Sequence, residues 1–286
     1  MRASELLGYP PEARVLLINC DDFGMSTGIN AAVVAAIEDG VAASCSLMVP
    51  CPGAADAMRR LRQRPHLPFG VHLTLVCEMP ETRWGPVAGR ARVPSLLEES
   101  GELFAPSAEG RAALLGQARI EEVEVEFRAQ IDAVARAGLE PAHLDFHCLA
   151  DGGRADVLEL TIALAGEYGL AARVWLDDGR RAMRARGLPV VDHDFLDSYA
   201  LDLDGKFERY LRLLRELPAG LTEWAVHPGP GDDHARAVDP GWRVRRTDYE
   251  FLVSPAAQEV LTAEGIVVIG YPELRRIWRQ VRSGSG

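Results

Sequence analysis

Short apolar runs alternate with amphipathic helical segments along nearly the whole of this 286-residue chain, and that alternation constrains its fold more than any other feature. Val15-Leu16-Leu17-Ile18 opens the series with the branched, uninterrupted apolar run of a strand buried on both faces. The spacing then predicts a helix over 28–39, with Ile29, Ala32, Val33, Ala36 and Ile37 on one face and Gly40 as its stop. A strand over 43–49, a helix over 54–64 and a strand over 68–75 follow. Ile120, Val123, Phe127, Ile131 and Val134 mark a long helix ending at Gly138, which returns the chain to a strand over 142–147. Beyond it the pattern predicts a helix at 156–168, strands at 171–176 and, weakly, 189–192, a helix at 206–217 and a strand at 221–227. Helices at 245–253 and 256–263, a strand at 266–269 and a helix at 273–281 complete the series. Such alternation implies a parallel sheet with right-handed crossovers. Seven to eight units in one chain suit a single-domain α/β fold, a distorted or incomplete (β/α) barrel; a doubly wound open sheet is the alternative.

Residues 1–282 are read as that one domain, and the tail 283–286, Ser-Gly-Ser-Gly, has linker composition. Periodicity fades over 76–116, and a segment of that length inside a compact domain reads as an insertion that covers or shapes a site. With 42 acidic against 31 basic residues and a net charge of −11, nucleic acid and anionic membranes are poor partners, since both reward clustered Lys and Arg. The five cysteines are odd in number and form no CxxC pair, which fits reduced thiols and a cytoplasmic chain. No leader peptide or membrane span is expected, and homo-oligomerisation is left open.

Chemistry gathers where strands end. Asp21 and Asp22, His72, the row His143, Asp145 and His147, and His227 all fall at predicted carboxyl ends, the functional rim of parallel α/β folds. Residues two apart in a strand share a face, so His143, Asp145 and His147 point one way and Leu144 and Phe146 the other. One carboxylate and two imidazoles from different strands make a ligand set for Zn²⁺ or another divalent ion. His66, His193 and His234 read as ordinary histidines, and two aspartates beside a helix start also suit a turn or cap. Gly24-Met25-Ser26-Thr27-Gly28 matches a nucleophile elbow, which would make Ser26 the nucleophile of a serine hydrolase. That reading is the weaker one, because the match follows the first strand and leaves the two aspartates unexplained.

Five blocks carry a resemblance: Asn19-Cys20-Asp21-Asp22-Phe23-Gly24 with Gly28-Ile29-Asn30, then Ser44-Cys45-Ser46-Leu47-Met48-Val49, Gly70-Val71-His72-Leu73-Thr74, His143-Leu144-Asp145-Phe146-His147 and His227-Pro228-Gly229. In this order they resemble the YdjC-like carbohydrate deacetylases over nearly the whole chain. The resemblance implies a distorted (β/α) barrel that removes acetyl groups from N-acetylated sugars with one divalent metal ion, zinc or magnesium. It implies Asp22, His72 and His147 as metal ligands, Asp21 as general base and His227 near the leaving group. His143, Asp145, Arg173 and Trp84 are expected to support the ligands or touch substrate, Trp84 as an apolar sugar contact. Leu149 stands where members usually have another histidine, and Phe146 replaces a small polar residue, so the expected substrate is an amino sugar or a sugar-bearing small molecule. A sugar-binding barrel without turnover is the rival from another class. The expected chemistry is metal-assisted hydrolysis, with a carboxylate taking a proton from water and a histidine returning one to the amine.

Overall fold

In the computed structural model, which describes residues 2–79 and 82–283, the run beginning at Val15 is the long central strand of one parallel sheet. A short helix α1 (Ala3–Leu6) precedes this strand, β1 (Arg14–Phe23), whose Val15, Leu16, Leu17 and Ile18 are fully buried because both faces are covered. The first third alternates as expected through α2 (Thr27–Glu38), β2 (Ser44–Leu47), α3 (Ala54–Gln63) and β3 (Phe69–Leu73). The middle contributes α4 (Ala108–Gln117), α5 (Ile120–Arg136), β4 (His143–Phe146), α6 (Ala155–Glu167), β5 (Ala171–Ala172) and α7 (Asp177–Ala185). Then come β6 (Leu196–Asp197), α8 (Lys206–Arg215), β7 (Gly220–Val226), α9 (Asp233–Val238) and α10 (Trp242–Leu252). The chain closes with α11 (Pro255–Ala263), β8 (Val267–Ile269) and α12 (Tyr271–Ser283).

Every strand pairing is parallel, along the path β5-β4-β3-β2-β1-β7-β6. β7 pairs with β1 from Arg14 to Cys20, while β8 pairs with Val15–Leu17 and β2 takes over at Asn19. Among the described residues β5 and β6 do not pair with each other, so the curled sheet stays open: a single α/β domain built as a distorted (β/α) barrel. Parallel strands bring their carboxyl ends to one rim, which places residues far apart in sequence side by side. On α5, Val123, Phe127, Ile131 and Val134 are buried, each side chain contributing about 1.5–3 kcal/mol of transfer free energy.

Several expectations change. No strand forms over 189–192, because Pro189 lacks an N–H and the Asp192 carboxylate accepts from the N–H groups of Ala3 and Leu221, both at 2.8 Å. The ladder to β7 forms later, Leu196 and Asp197 lying opposite Trp224 and Ala225. The strand expected over 171–176 is cut to two residues, after which Asp151 accepts the N–H groups of Trp175 and Leu176 at 3.0 and 3.1 Å and turns the chain. α1, α4, α7 and α9 form where the sequence reading places no helix. The segment 76–116 has structure of its own: bridges join Val76 to Phe104 and Leu97 to Leu103, and α4 begins inside it. Carboxylates on α5 clamp it, Glu126 accepting from Val87 and Ala88 N–H at 2.9 Å each and Glu122 from Ser95 N–H at 2.6 Å. Ser283 ends α12, and the rest of the expected tail lies outside the described residues. No described helix is long and apolar enough to cross a membrane.

Candidate active site

Adjacent residues of a regular strand face opposite ways, yet Asp21 and Asp22 both point into the rim. The register between β1 and β2 slips between Cys20 and Phe23, and Asp22 takes a left-handed φ of 66°. A bulge of this kind re-aims one side chain, and here it adds the second carboxylate to the face of the first. The turn that follows requires Gly24, at φ 103°, because a Cβ there would stand 2.8 Å from the Met48 carbonyl oxygen.

Three donors meet at this point. Asp22 Oδ1 lies 3.5 Å from His72 Nε2 and 3.1 Å from His147 Nδ1, and all three residues are buried. His72 Nδ1 donates to Asp145 Oδ1 at 2.9 Å, which turns Nε2 towards Asp22. Burial works against the charged imidazole of His72, but Asp145 and Asp21 raise its pKa to about 9. The field that holds a proton there is one that a cation would meet, so the donor set suits a divalent ion. His143 does not join it. Its ring stacks on Tyr271 with centroids 3.5 Å apart, and its Nε2 bonds to Ser46 Oγ at 3.1 Å, deeper in the barrel. Gly70 makes room, since a Cβ there would overlap that ring.

Asp21 is held differently. Arg173 Nη1 and Nη2 donate to its two oxygens at 2.8 and 2.9 Å, and Asn19 Nδ2 donates to Oδ1 at 2.7 Å. Burial opposes ionisation, but the guanidinium and His72 hold the carboxyl below its ordinary range. Asp22 is buried too, yet Arg245 and the two imidazoles keep it well below that range. Arg245 Nη1 stands 2.8 Å from Asp22 Oδ2, leaving Oδ1 to the histidines. Its other nitrogens bind Glu78 at 2.6 Å and Asp239 at 2.8 Å.

His227 follows β7 on the same rim. Its Nδ1 is hydrogen-bonded to Ser198 Oγ at 2.8 Å, its backbone N–H donates to Asp248 at 2.8 Å, and Tyr199 packs edge-on at 4.7 Å. Asp21, Asp22, His72, His147 and His227 all line one cavity of about 420 Å³. Phe146, Leu149, Trp175 and Tyr199 give it apolar walls, Phe146 against the alternation expected along its strand, and Glu78 and Arg111 bring the two ends of the segment 76–116 to its edge.

A family model described as YdjC-like protein matches residues 15–263. The chain belongs to the YdjC-like family. It is 31% identical over 265 residues to a carbohydrate deacetylase of Geobacillus stearothermophilus, covering 92% of this chain and 99% of that one. A chitooligosaccharide deacetylase of Serratia marcescens is 32% identical, covering 91% and 99%. Among solved structures, an Enterococcus faecalis V583 protein named for cellobiose-phosphate cleavage superposes with a TM-score of 0.78 at 25% identity, covering 92% and 99%.

Trp84 corrects an expectation: it is 4% exposed and packs inside the insertion, its backbone N–H donating to Cys77 Sγ at 3.4 Å, so it does not line the cavity. His66 pairs with Glu38 at 3.3 Å, His193 bonds to the Ala219 carbonyl at 2.8 Å, and His234 lies on a separate cavity of about 370 Å³. Ser26 lines that second cavity too and caps α2, its Oγ accepting from Ile29 N–H at 3.2 Å. Sequence reasoning missed Glu78, Arg245, Asp248 and Glu223. The last had a signal, since Glu223 stands four residues before His227 on the inward face of β7. Its Oε1 accepts from Arg173 Nε and from the Tyr271 hydroxyl, both at 2.8 Å.

Burial pushes Glu223 from an ordinary 4.5 up to about 7, over the opposing pull of Arg173 and Tyr271. Between those values the folded chain binds more protons than the unfolded one. Its contribution to stability is therefore complete below pH 4.5 and lost as pH rises through about 7. Glu223→Gln cannot ionise, so its thermal midpoint is expected to fall less than the parent's across that window. Parallel midpoint-versus-pH curves for the two chains would refute the assignment.

Proposed function

We propose that this chain removes an N-acetyl, or related N-acyl, group from an amino sugar or a glycosylated small molecule, using one zinc or magnesium ion held by Asp22, His72 and His147. The observation that carries the proposal is the placing of two proton-handling groups, Asp21 and His227, in the cavity that contains the three donors. The carbohydrate deacetylases among the relatives support the substrate class.

When bound, the ion polarises the acyl carbonyl and lowers the pKa of water beside it. Asp21 takes the proton of the attacking water. Arg173 keeps both Asp21 oxygens in place and the carboxylate ionised, so the base is ready near neutral pH. Ser198 occupies His227 Nδ1, which leaves Nε2 to give a proton to the departing amine. Asp145 orients His72, and the apolar walls at Phe146, Trp175 and Tyr199 offer surfaces for a sugar ring.

The test is a panel of N-acetylated sugars and glycosylated metabolites, read by mass for loss of acetyl. Turnover is expected to vanish on treatment with a chelator and to return with added zinc or magnesium. A serine hydrolase centred on Ser26 would ignore the chelator, and among the described residues no imidazole is hydrogen-bonded to that hydroxyl. A sugar-binding barrel would bind members of the panel without releasing acetate.

A further inference from the structure

His147 presents its two ring nitrogens to two different sets of groups. Nδ1 faces Asp22 and His72 within the barrel, whereas Nε2 faces outward, 3.3 Å from Cys148 Sγ and 3.6 Å from Glu78 Oε2. The fold holds both outer neighbours there. Cys148 adopts a left-handed φ of 58°, which a side chain of this kind takes only where its surroundings impose it. Arg245 binds Glu78 Oε1 at 2.6 Å and leaves Oε2 turned to the imidazole. Cys20, Cys45, Cys51 and Cys77 are buried, so Cys148 is the one thiol open to solvent among the described residues.

We propose that Cys148 Sγ, His147 Nε2 and Glu78 Oε2 form a second cation site, for a thiophilic divalent ion such as zinc or cadmium, that competes with the inner donors for His147. As a competitor it rests on the inner set assigned above; as a site it stands on these three groups. Zinc bonds of about 2.3 Å to sulfur and about 2.0–2.2 Å to nitrogen and oxygen set tetrahedral ligands roughly 3.3–3.6 Å apart. The observed 3.3 and 3.6 Å already fall in that range, and Cys148 Sγ and Glu78 Oε2 lie within 4.8 Å of each other. A thiolate selects soft ions over magnesium, so the outer site discriminates where the inner one, which has no thiol, does not.

Binding breaks the Cys148 S–H bond, forms a sulfur–metal bond and releases the proton to solvent. A neutral imidazole has one lone pair. With that pair committed at Nε2, the ring proton sits on Nδ1 and donates to Asp22 Oδ1, across the 3.1 Å already present. The inner set then loses His147 and has an Asp22 oxygen engaged by a hydrogen bond, so the two sites fill in alternation.

Cadmium alone is the probe, added to the full chain loaded with its activating ion. The thiolate-to-cadmium absorbance and the deacetylation rate are followed together. In the parent chain the band is expected to saturate at one cadmium per chain while turnover falls tenfold or more in step. Cys148→Ala and Cys148→Ser are expected to show no band and to keep their turnover at the same cadmium concentration. Absence of the band at saturating cadmium, or a band that grows while turnover stays constant, overturns the proposal. The band does not depend on catalysis. A chain that develops it yet deacetylates no sugar refutes the proposed activity instead, and release of the loaded ion then replaces rate as the measure of competition.

Discussion

Asp21→Asn is expected to retain the bound metal and to lose turnover by roughly 10² to 10⁴, the range associated with removal of a general base. The substitution is nearly isosteric and buried, and an asparagine oxygen can still accept from Arg173, so the frame of the site survives while the proton acceptor is lost. Asp22→Asn is expected to lose metal and turnover together, because the changed group belongs to the donor set. The competing account makes Asp21 a structural anchor for Arg173. It predicts a stability loss of order 1 kcal/mol, as for an ordinary hydrogen-bonding group, and near-normal rates. Metal content and deacetylation rate near neutral pH separate the two. Full metal with near-parental turnover in Asp21→Asn would leave the base unidentified.

Asp248→Ala is expected to cost about 3–5 kcal/mol of stability, the usual penalty for leaving a buried charge without its partner. Lys206 is 1% exposed, and its Nζ lies 2.8 Å from Asp248 Oδ1. The same carboxylate accepts the Tyr210 hydroxyl at 2.8 Å and the His227 N–H at 2.8 Å, so its loss also frees the backbone beneath the proposed acid. Adding Lys206→Met to Asp248→Ala removes the stranded charge and is expected to recover much of the stability without restoring rate. Denaturant unfolding of the single and double variants checks this. Equal stability in the two would show that the pair is not what holds α8 to α10.

The sequence makes the strand-borne part of the site readable because side chains two apart on a strand share a face. Asp145 is inward on β4 for that reason, His72 lies near the end of β3, and His147 and His227 are the first residues beyond β4 and β7, all at the rim where the strands end. The helix-borne part escapes such reading. An arginine in the first turn of a helix ordinarily signals a solvated face, yet Arg245 is 1% exposed and is enclosed by Asp22, Glu78 and Asp239. Asp248 lies on the same helix, and nothing in its spacing announces Lys206 or His227. The orientation of Asp22 is illegible for a different cause: it depends on a bulge, whereas alternation alone would turn it away from Asp21. Trp84 shows the converse error, an aromatic in an irregular segment that packs within the segment itself.

The sheet path ends in its two shortest strands, β5 and β6, each of two residues. A free strand edge is a template for other chains, and templating needs a run of consecutive unpaired N–H and C=O groups. Neither end supplies such a run, and β8, which covers only the start of β1, adds three residues more. An unclosed barrel thus avoids the usual hazard of open sheets in crowded solution, the edge-to-edge growth that leads to fibres. Lengthening β5 or β6 with alternating valine and threonine would supply that template and turn the seam into a point of self-association.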